Sequence, residues 1–289
     1  MKSFLFILLT CFSVTFSYSQ EDLLDILEEE TIKNESSEIE NSIFKGTRIL
    51  NGHSVKNRKE KELEFIISHR FGRINLGFDE LFGLDQSNIR FAFEYGLNDN
   101  LTIGIGRSSF EKTYDSFLKY SLLHQKNGEN SFPIAVSLFG SIAVKTLKDY
   151  PPTDKRSFAE SLFYVGQVLI ARKMSPGLSL QLTPTYIHRN TVKVAQDPHD
   201  IFALGFGSRI KLSNRVSLNT EYFHAFNESV SINAKNSLAL GVDIETGGHV
   251  FQLILSNSIT MIEKSFIAET TGNFFGGDIH FGFNISRTF

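Results

Sequence analysis

The last ten residues of the chain, HFGFNISRTF (residues 280–289), are the stretch that decides the fold class. Phe281, Phe283, Ile285 and Phe289 share one face of an extended segment, and small or polar residues occupy most of the other. Strict alternation of this kind predicts a β-strand with one apolar face. A terminal aromatic residue on such a strand is typical of outer-membrane β-barrels, whose assembly machinery reads it. We therefore expect these four residues to form the barrel assembly signal, although Arg287 replaces the apolar residue usual in the third position from the end.

The same two-residue period extends upstream from the last strand to about residue 62 and predicts about twelve strands. The sixth strand, near residues 161–171, is apolar on both faces. The connections alternate in length: residues 72–87, 145–157, 189–200, 227–236 and 257–276 are long and 108–113 is intermediate, and each of them is followed by a short connection or by the last strand. Transmembrane barrels sort their connections in this way, with short periplasmic turns and longer external loops. We therefore predict an all-β fold, a transmembrane antiparallel up-and-down β-barrel of about 12 strands with a short N-terminal periplasmic segment.

Composition excludes other classes of protein. The 289 residues are 41% hydrophobic and 21% charged, and no run of 18 apolar residues follows the N-terminus, which excludes a bundle of membrane helices. In a barrel only every second strand residue contacts lipid, so average hydrophobicity is expected. The single cysteine, Cys11, excludes a disulfide-stapled scaffold. With 28 Phe and no Trp, we expect Phe and Tyr to anchor the barrel at the membrane interfaces.

The chain divides into three segments. Residues 1–19 combine Lys2, an apolar stretch and small residues before Gln20, which is the pattern of a cleaved secretory signal peptide. Residues 20–61 form a leader that is first acidic, with a net charge of −8 over residues 21–40, and then basic. Residues 62–289 form the predicted barrel. This order predicts export through the periplasm to the cell outer membrane.

Charged residues on the predicted inner face could line a pore or pair with one another and close it. The candidates for lining the lumen are Arg70, Arg90, Glu94, Lys119, Arg209, Glu221 and Asp243, together with Glu64, Lys211 and Glu245. The doubly apolar sixth strand suggests that something packs inside. We expect a plug formed by Phe44, Lys45, Arg48, Ile49 and Leu50, with Lys45 and Arg48 meeting Glu221 or Asp243.

One stretch resembles an outer-membrane β-barrel family of unknown function found in Bacteroidota. The resemblance is strongest over residues 44–124, weaker beyond them, and present again in the last three residues. One position departs from it, because Ser116 stands where the family pattern has Gly. The resemblance implies a barrel and brings no substrate. Its motifs are FKGTRILNGHS (44–54), SHRFG (68–72), LFGLD (81–85), EYGL (94–97), GIGRS (104–108), KTYD (112–115), FLKY (117–120) and RTF (287–289).

Several functions remain open at this stage. The leading one is a pore for small polar solutes, and the alternatives are a closed structural or accessory barrel, an outer-membrane lipid hydrolase and a soluble secreted β-barrel that binds a lipid. A hydrolase could use an outward Ser such as Ser208 with an outward His such as His69, His124, His188 or His224. A metal site at His188 or His199 with Asp197 and Asp200 is a weaker alternative to a simple turn. We expect no enzyme activity, catalytic residue, cofactor, metal or nucleic-acid partner; the expected partners are outer-membrane lipid, the barrel assembly machinery and an unidentified solute.

Overall fold

A computed structural model describes residues 38–40, 42–128, 131–147, 157–246 and 249–289. The predicted signal peptide and most of the acidic leader lie outside the described residues.

Twelve antiparallel strands close into one barrel, which confirms the predicted fold class and strand number. Each strand pairs with its neighbours in sequence, and the last strand pairs with the first, so the sheet has no free edge. A closed sheet satisfies its backbone hydrogen bonds internally, as a membrane requires. The barrel strands are β2 (Leu63–Arg73), β3 (Ser87–Asn98), β4 (Leu101–Ser108), β5 (Tyr114–Leu123), β7 (Ala135–Val144), β8 (Leu162–Ser175), β9 (Leu178–Arg189), β10 (Asp200–Lys211), β11 (Val216–Ala225), β12 (Ser237–Thr246), β13 (His249–Ser256) and β14 (His280–Thr288).

The connections are sorted between the two ends of the barrel. Connections 74–86, 190–199, 226–236 and 257–279, with the described residues 145–147 and 157–161, lie at one end, and turns as short as residues 99–100 and 176–177 lie at the other, where the chain enters β2 and leaves β14. Connection 124–134 at the short end is longer than the others there, because it carries β6 (Lys126–Asn127), which pairs with β1 (Glu38–Ile39). Since short turns face the periplasm in barrels of this kind, β2 begins at the periplasmic end.

Helices are few among the described residues. Short 3₁₀ helices occur there at Ile74–Leu76, Phe78–Gly83, Phe110–Lys112, Ala159–Ser161 and Phe274–Gly276, and an α-helix, α1, spans Glu263–Ala268. Within the described ranges, none of the helices has the length and apolar character that a membrane crossing requires.

The two faces differ in chemistry in most of the strands. In β9, for example, Gln181, Thr183 and Thr185 are buried inside, whereas Leu182 and Tyr186 are exposed on the outside. The outer face is therefore an apolar surface for lipid, and the inner face carries the polar and charged side chains. The Arg287 guanidinium lies on the outer face over the Phe289 ring, 4.8 Å from its centroid.

The barrel interior is filled. Residues 43–58 enter from the periplasmic end, and the loop that carries α1 enters from the external end. Apolar residues of both segments join inward side chains of the wall in one buried cluster. The core of this protein therefore lies inside the barrel.

Candidate functional site

Eight of the ten side chains singled out as lumen candidates are buried on the inner wall, Glu64 among them, and Lys211 and Glu245 are half-buried. Arg70, Arg90, Glu94, Lys119, Arg209, Glu221 and Asp243 are buried and lie in the inward phase of their strands. Arg90 binds Asp115 through two nitrogens, Nε at 3.0 Å and Nη2 at 2.5 Å. Most of the others contact the segment that enters the barrel, so residues inside the barrel supply most of their partners.

That segment forms a hairpin inside the lumen. The Ser54 N–H donates to the Thr47 carbonyl at 2.9 Å, and the Ile49 N–H donates to the Gly52 carbonyl at 2.9 Å. Between these bonds, the backbones of Arg48 and His53 form an antiparallel β-bridge. The turn of the hairpin lies at Leu50 and Asn51, which are both buried. We call residues 47–54 the hairpin, and residues 43–58, which include it, the lumen segment.

Glu221 binds the turn of the hairpin. Its carboxylate accepts hydrogen bonds from the backbone N–H groups of Leu50 at 3.4 Å, Asn51 at 3.3 Å and Gly52 at 2.9 Å. Buried peptide groups need partners, and a turn has no adjacent strand to supply them. A single inward carboxylate therefore anchors the tip.

Other wall side chains bind the remaining peptide groups of the lumen segment, and they come from strands all round the barrel. Lys119 Nζ donates to the Lys56 carbonyl at 2.5 Å and to the Ser54 carbonyl at 3.2 Å. Arg70 reaches the Asn51 side chain at 2.7 Å. The lumen segment is thus held by side chains and not by strand pairing. Further bonds run from Gln252 to the Ile49 carbonyl, Asn284 to the Leu50 carbonyl, Gln181 to His53 and Val55, and Ser137 to the Val55 carbonyl.

The charged plug candidates contact carboxylates other than those expected. Lys45 pairs with Glu245 at 2.6 Å, and Arg48 pairs with Glu263 at 3.1 Å; neither meets Glu221 or Asp243. Glu221 is occupied by backbone N–H groups, and Asp243 accepts a hydrogen bond from Gln252, so neither needs a cation from the lumen segment.

The apolar plug candidates pack against the wall. Phe44, Ile49 and Leu50 are buried in the interior cluster together with Val165 and Leu169 of β8. β8 is the predicted sixth strand, and its inward apolar residues contact protein instead of water. This packing explains why β8 is apolar on both faces.

Helix α1 meets the lumen segment from the external side, and all six of its residues are buried. Glu263 faces the hairpin, where it lies 3.1 Å from Arg48 and 3.7 Å from His53. Lys264 points the other way and binds Glu111 at 2.9 Å and Glu269 at 3.0 Å. Burial lowers the pKa of Lys264, but these two carboxylates raise it more, so the ammonium group stays charged.

His53 stands where the hairpin, α1 and the wall meet. Its ring lies 4.5 Å from Phe117 and 4.4 Å from Phe139, measured between centroids. Burial, aided by the nearby Arg48 and Lys119, lowers the pKa of His53 well below its usual value. The imidazole is therefore neutral at physiological pH. Burial raises the pKa of Glu263, whereas Arg48 lowers it, with burial the stronger effect.

Glu94 is a buried carboxylate without hydrogen-bond donors in the described ranges. Its side chain is 0% exposed, and neither carboxylate oxygen has a hydrogen-bond donor among the described residues. Its nearest cation is Arg48, whose Nε lies 3.8 Å from Oε1. A buried carboxylate in this position makes the closed interior less stable than full hydrogen bonding would.

The outward residues considered for a hydrolase do not form a Ser–His pair within the described part of the chain. Ser208 Oγ binds Thr220 Oγ1 at 2.6 Å, and His188 Nδ1 lies 2.7 Å from Asp200 Oδ1. His69 stacks on Phe283, His124 contacts Asn100, and His224 contacts Asn236. His199 Nδ1 lies 2.7 Å from the Arg189 carbonyl. Across the described ranges, no three His, Cys, Asp or Glu side chains are arranged to hold a metal ion.

Residues 44–289 match the family described as a membrane-bound β-barrel domain, DUF5777. The chain belongs to this family. Membership confirms the predicted membrane barrel, and a closed, even-stranded, antiparallel barrel is the architecture of outer-membrane proteins. No curated protein sequence matches the chain.

Solved porin and channel structures are similar to the DUF5777 barrel in fold. A NanC porin is 8% identical with a TM-score of 0.48, and the match covers 78% of this chain and 98% of the porin. A KdgM porin is 6% identical with a TM-score of 0.46, covering 79% and 99%. The COG4313 outer-membrane channel from Pseudomonas putida F1 is 12% identical with a TM-score of 0.47, covering 80% and 96%.

Proposed function

We propose that this protein is an outer-membrane pore for small polar solutes, described here in a closed state. The proposal rests on the lumen segment, which occupies the barrel interior without joining its sheet. Because the wall of twelve strands closes by itself, the segment can leave without breaking a strand pair. Loop 257–279 packs on the lumen segment from the external side, where Glu263 pairs with Arg48.

The chemistry of the lumen supports a closure that can be reversed. Besides the packing of Ile49 and Leu50, the hairpin is held by hydrogen bonds to polar wall residues such as Glu221 and Lys119, which water replaces readily when the lumen opens. Glu94, which lacks donors in the closed interior, gains them from water on opening. A barrel with no need to open would be more stable with an apolar interior.

Single-channel recording in a planar bilayer tests the proposal. The mature full-length chain is compared with a variant that lacks residues 42–58, and folding of each is checked by heat-modifiable migration. We expect rare, brief openings in the full-length protein and steady current after the deletion. Silence of both folded barrels would contradict the pore and favour the closed structural or accessory barrel; equal steady current in both would contradict closure by the lumen segment.

We propose no enzymatic activity, since the outward Ser208 has a threonine as its partner. Outer-membrane lipid and the barrel assembly machinery are the proposed partners. The outward row Phe281, Phe283, Ile285 and Phe289 supports recognition by that machinery. Export by a cleaved signal peptide and a Bacteroidota source are further proposals that rest on the sequence.

A further inference from the structure

A cavity of about 860 Å³ lies at the external end of the barrel, above α1. Its walls come from the ends of β8 and β9 and from the external loops, and its floor includes residues 269–271 just after α1. This volume is in the range of about 300–1,000 Å³ that holds a small ligand. We call this cavity the vestibule, because a solute reaching the lumen from outside passes through it.

The charges of the vestibule cancel. Four basic and four acidic side chains line it, and most have partners already. Lys145 binds Glu111 at 2.6 Å, and Asp197 accepts hydrogen bonds from Ser231. Burial raises the pKa of Glu111, but Lys264 and Lys145 lower it more, to about 2, so this carboxylate stays ionised and paired. A charged ligand would therefore find few unpaired groups of opposite charge in the vestibule.

Neutral polar groups and apolar patches make up the rest of the lining. Seven Ser and Thr residues and two residues with side-chain amides line the vestibule. Some of them are already bonded to one another, as Ser258 Oγ is to Thr260 Oγ1 at 2.8 Å. Phe110 and Ile259 supply apolar surface beside them. Hydroxyl and amide groups next to apolar patches suit a ligand that both donates and accepts hydrogen bonds and has hydrophobic C–H faces.

Ser229 gives an independent indication of a ligand. Its side chain lines the vestibule and is 1% exposed, yet its hydroxyl has no hydrogen-bond partner in the part of the chain that the structure describes. Buried hydroxyls are normally bonded, and leaving one without a partner is unfavourable. A hydroxyl-bearing ligand would supply the missing bond.

We propose that the vestibule binds a small uncharged polyhydroxylated solute of the size of a monosaccharide or disaccharide. This inference rests on the proposed function, because it names the class of solute that would approach the pore. It is tested by binding in detergent solution, with no passage required. A failure here therefore leaves the conductance experiment to decide the pore on its own.

The chain has no tryptophan, so one can be introduced as a reporter. Phe110→Trp places it in the vestibule wall, and Tyr120→Trp places it on the outer face of β5 as the matched control. The probes are glucose and sucrose as uncharged solutes, and glucuronate and glucosamine as charged ones. Tryptophan emission is followed during titration of each folded protein.

We expect a saturable change in emission with glucose or sucrose for Phe110→Trp and none for Tyr120→Trp. Adding Ser229→Ala to the reporter should weaken the affinity about five-fold, as the loss of one hydrogen bond does. Three results would each overturn the proposal: no saturable change with either uncharged sugar, equal or tighter binding of the charged sugars, or an affinity that Ser229→Ala leaves unchanged.

Discussion

Replacing Glu221 with Gln should release the hairpin from the lumen. The carboxylate accepts three backbone N–H groups, at 2.9, 3.3 and 3.4 Å. Each hydrogen bond to a charged group contributes about 1.5–3 kcal/mol, and the two longer bonds lie at or below the lower end of that range. Gln keeps one acceptor oxygen but turns an NH₂ group towards N–H donors. We therefore expect a loss of about 3 kcal/mol, which is roughly a hundred-fold increase in the population with the hairpin withdrawn.

Thiol labelling measures this population directly. Ser54 is 0% exposed within the hairpin, so a Ser54→Cys thiol reacts with a water-soluble maleimide only when the hairpin leaves the lumen. Cys11, the only native cysteine, lies in the predicted signal peptide. The labelling rate is compared with and without Glu221→Gln, so that the effect of the cysteine itself cancels.

Glu245→Gln is the matched control. Glu245 also pairs with the lumen segment, through Lys45 at 2.6 Å, but their side chains are 40% and 34% exposed. Such a pair contributes less than about 1 kcal/mol, so labelling should rise less than about five-fold. Equal labelling rates in the Glu221 and Glu245 variants, both folded, would refute the idea that the carboxylate at the turn holds the hairpin.

Three other changes have defined outcomes. Acidification should protonate Glu111. Its two lysine partners hold the pKa of this carboxylate at about 2. The stability that the carboxylate contributes is therefore present above about pH 4.5 and is lost as the pH falls towards 2. Limited proteolysis of the α1 loop should increase over that interval, and a Glu111→Gln variant that kept the same pH dependence would contradict the assignment. Gly96→Ala should destabilise the barrel by about 1–3 kcal/mol in urea unfolding, because a Cβ would lie 1.9 Å from a backbone oxygen, whereas Gly140→Ala, with nothing nearer than 4.0 Å, should be close to neutral. Deleting Phe289 should reduce the amount of folded barrel in the outer membrane of expressing cells, and Phe275→Ala, on an external loop, should not; equal yields would argue against the assembly signal.

The alternation of apolar and polar residues was sufficient to predict the barrel, because lipid outside and polar groups inside impose a period of two on every strand. It was less informative at strand ends. Asp115, in the fourth barrel strand (β5), was not among the predicted lumen residues, because alternation alone does not fix where a strand begins. The structure begins that strand at Tyr114 and so places Asp115 against Arg90.

The partners of the inward side chains could not be predicted from the pattern, because pairing inside a barrel depends on which strands face each other across the lumen. Lys45 and Arg48 illustrate this: their type indicated carboxylate partners, but not which ones. The inward fold of loop 257–279 was also missed. Met261, Ile262, Phe266 and Ile267 were the available signal, since four large apolar residues in an external loop are unlikely to remain in water.

Four residues, 59–62, join Arg58 at the end of the lumen segment to the first residue of β2. The segment therefore behaves as a peptide ligand tethered to its own receptor, and its occupancy depends on effective concentration as well as on affinity. A short tether keeps that concentration near the millimolar range, so a free peptide of the same sequence would compete only at similar concentrations. Lengthening the tether would reduce occupancy slowly, because the entropy of closing a loop grows only with the logarithm of its length. The rate at which the barrel opens would then be set by dissociation of the ligand and be nearly independent of tether length.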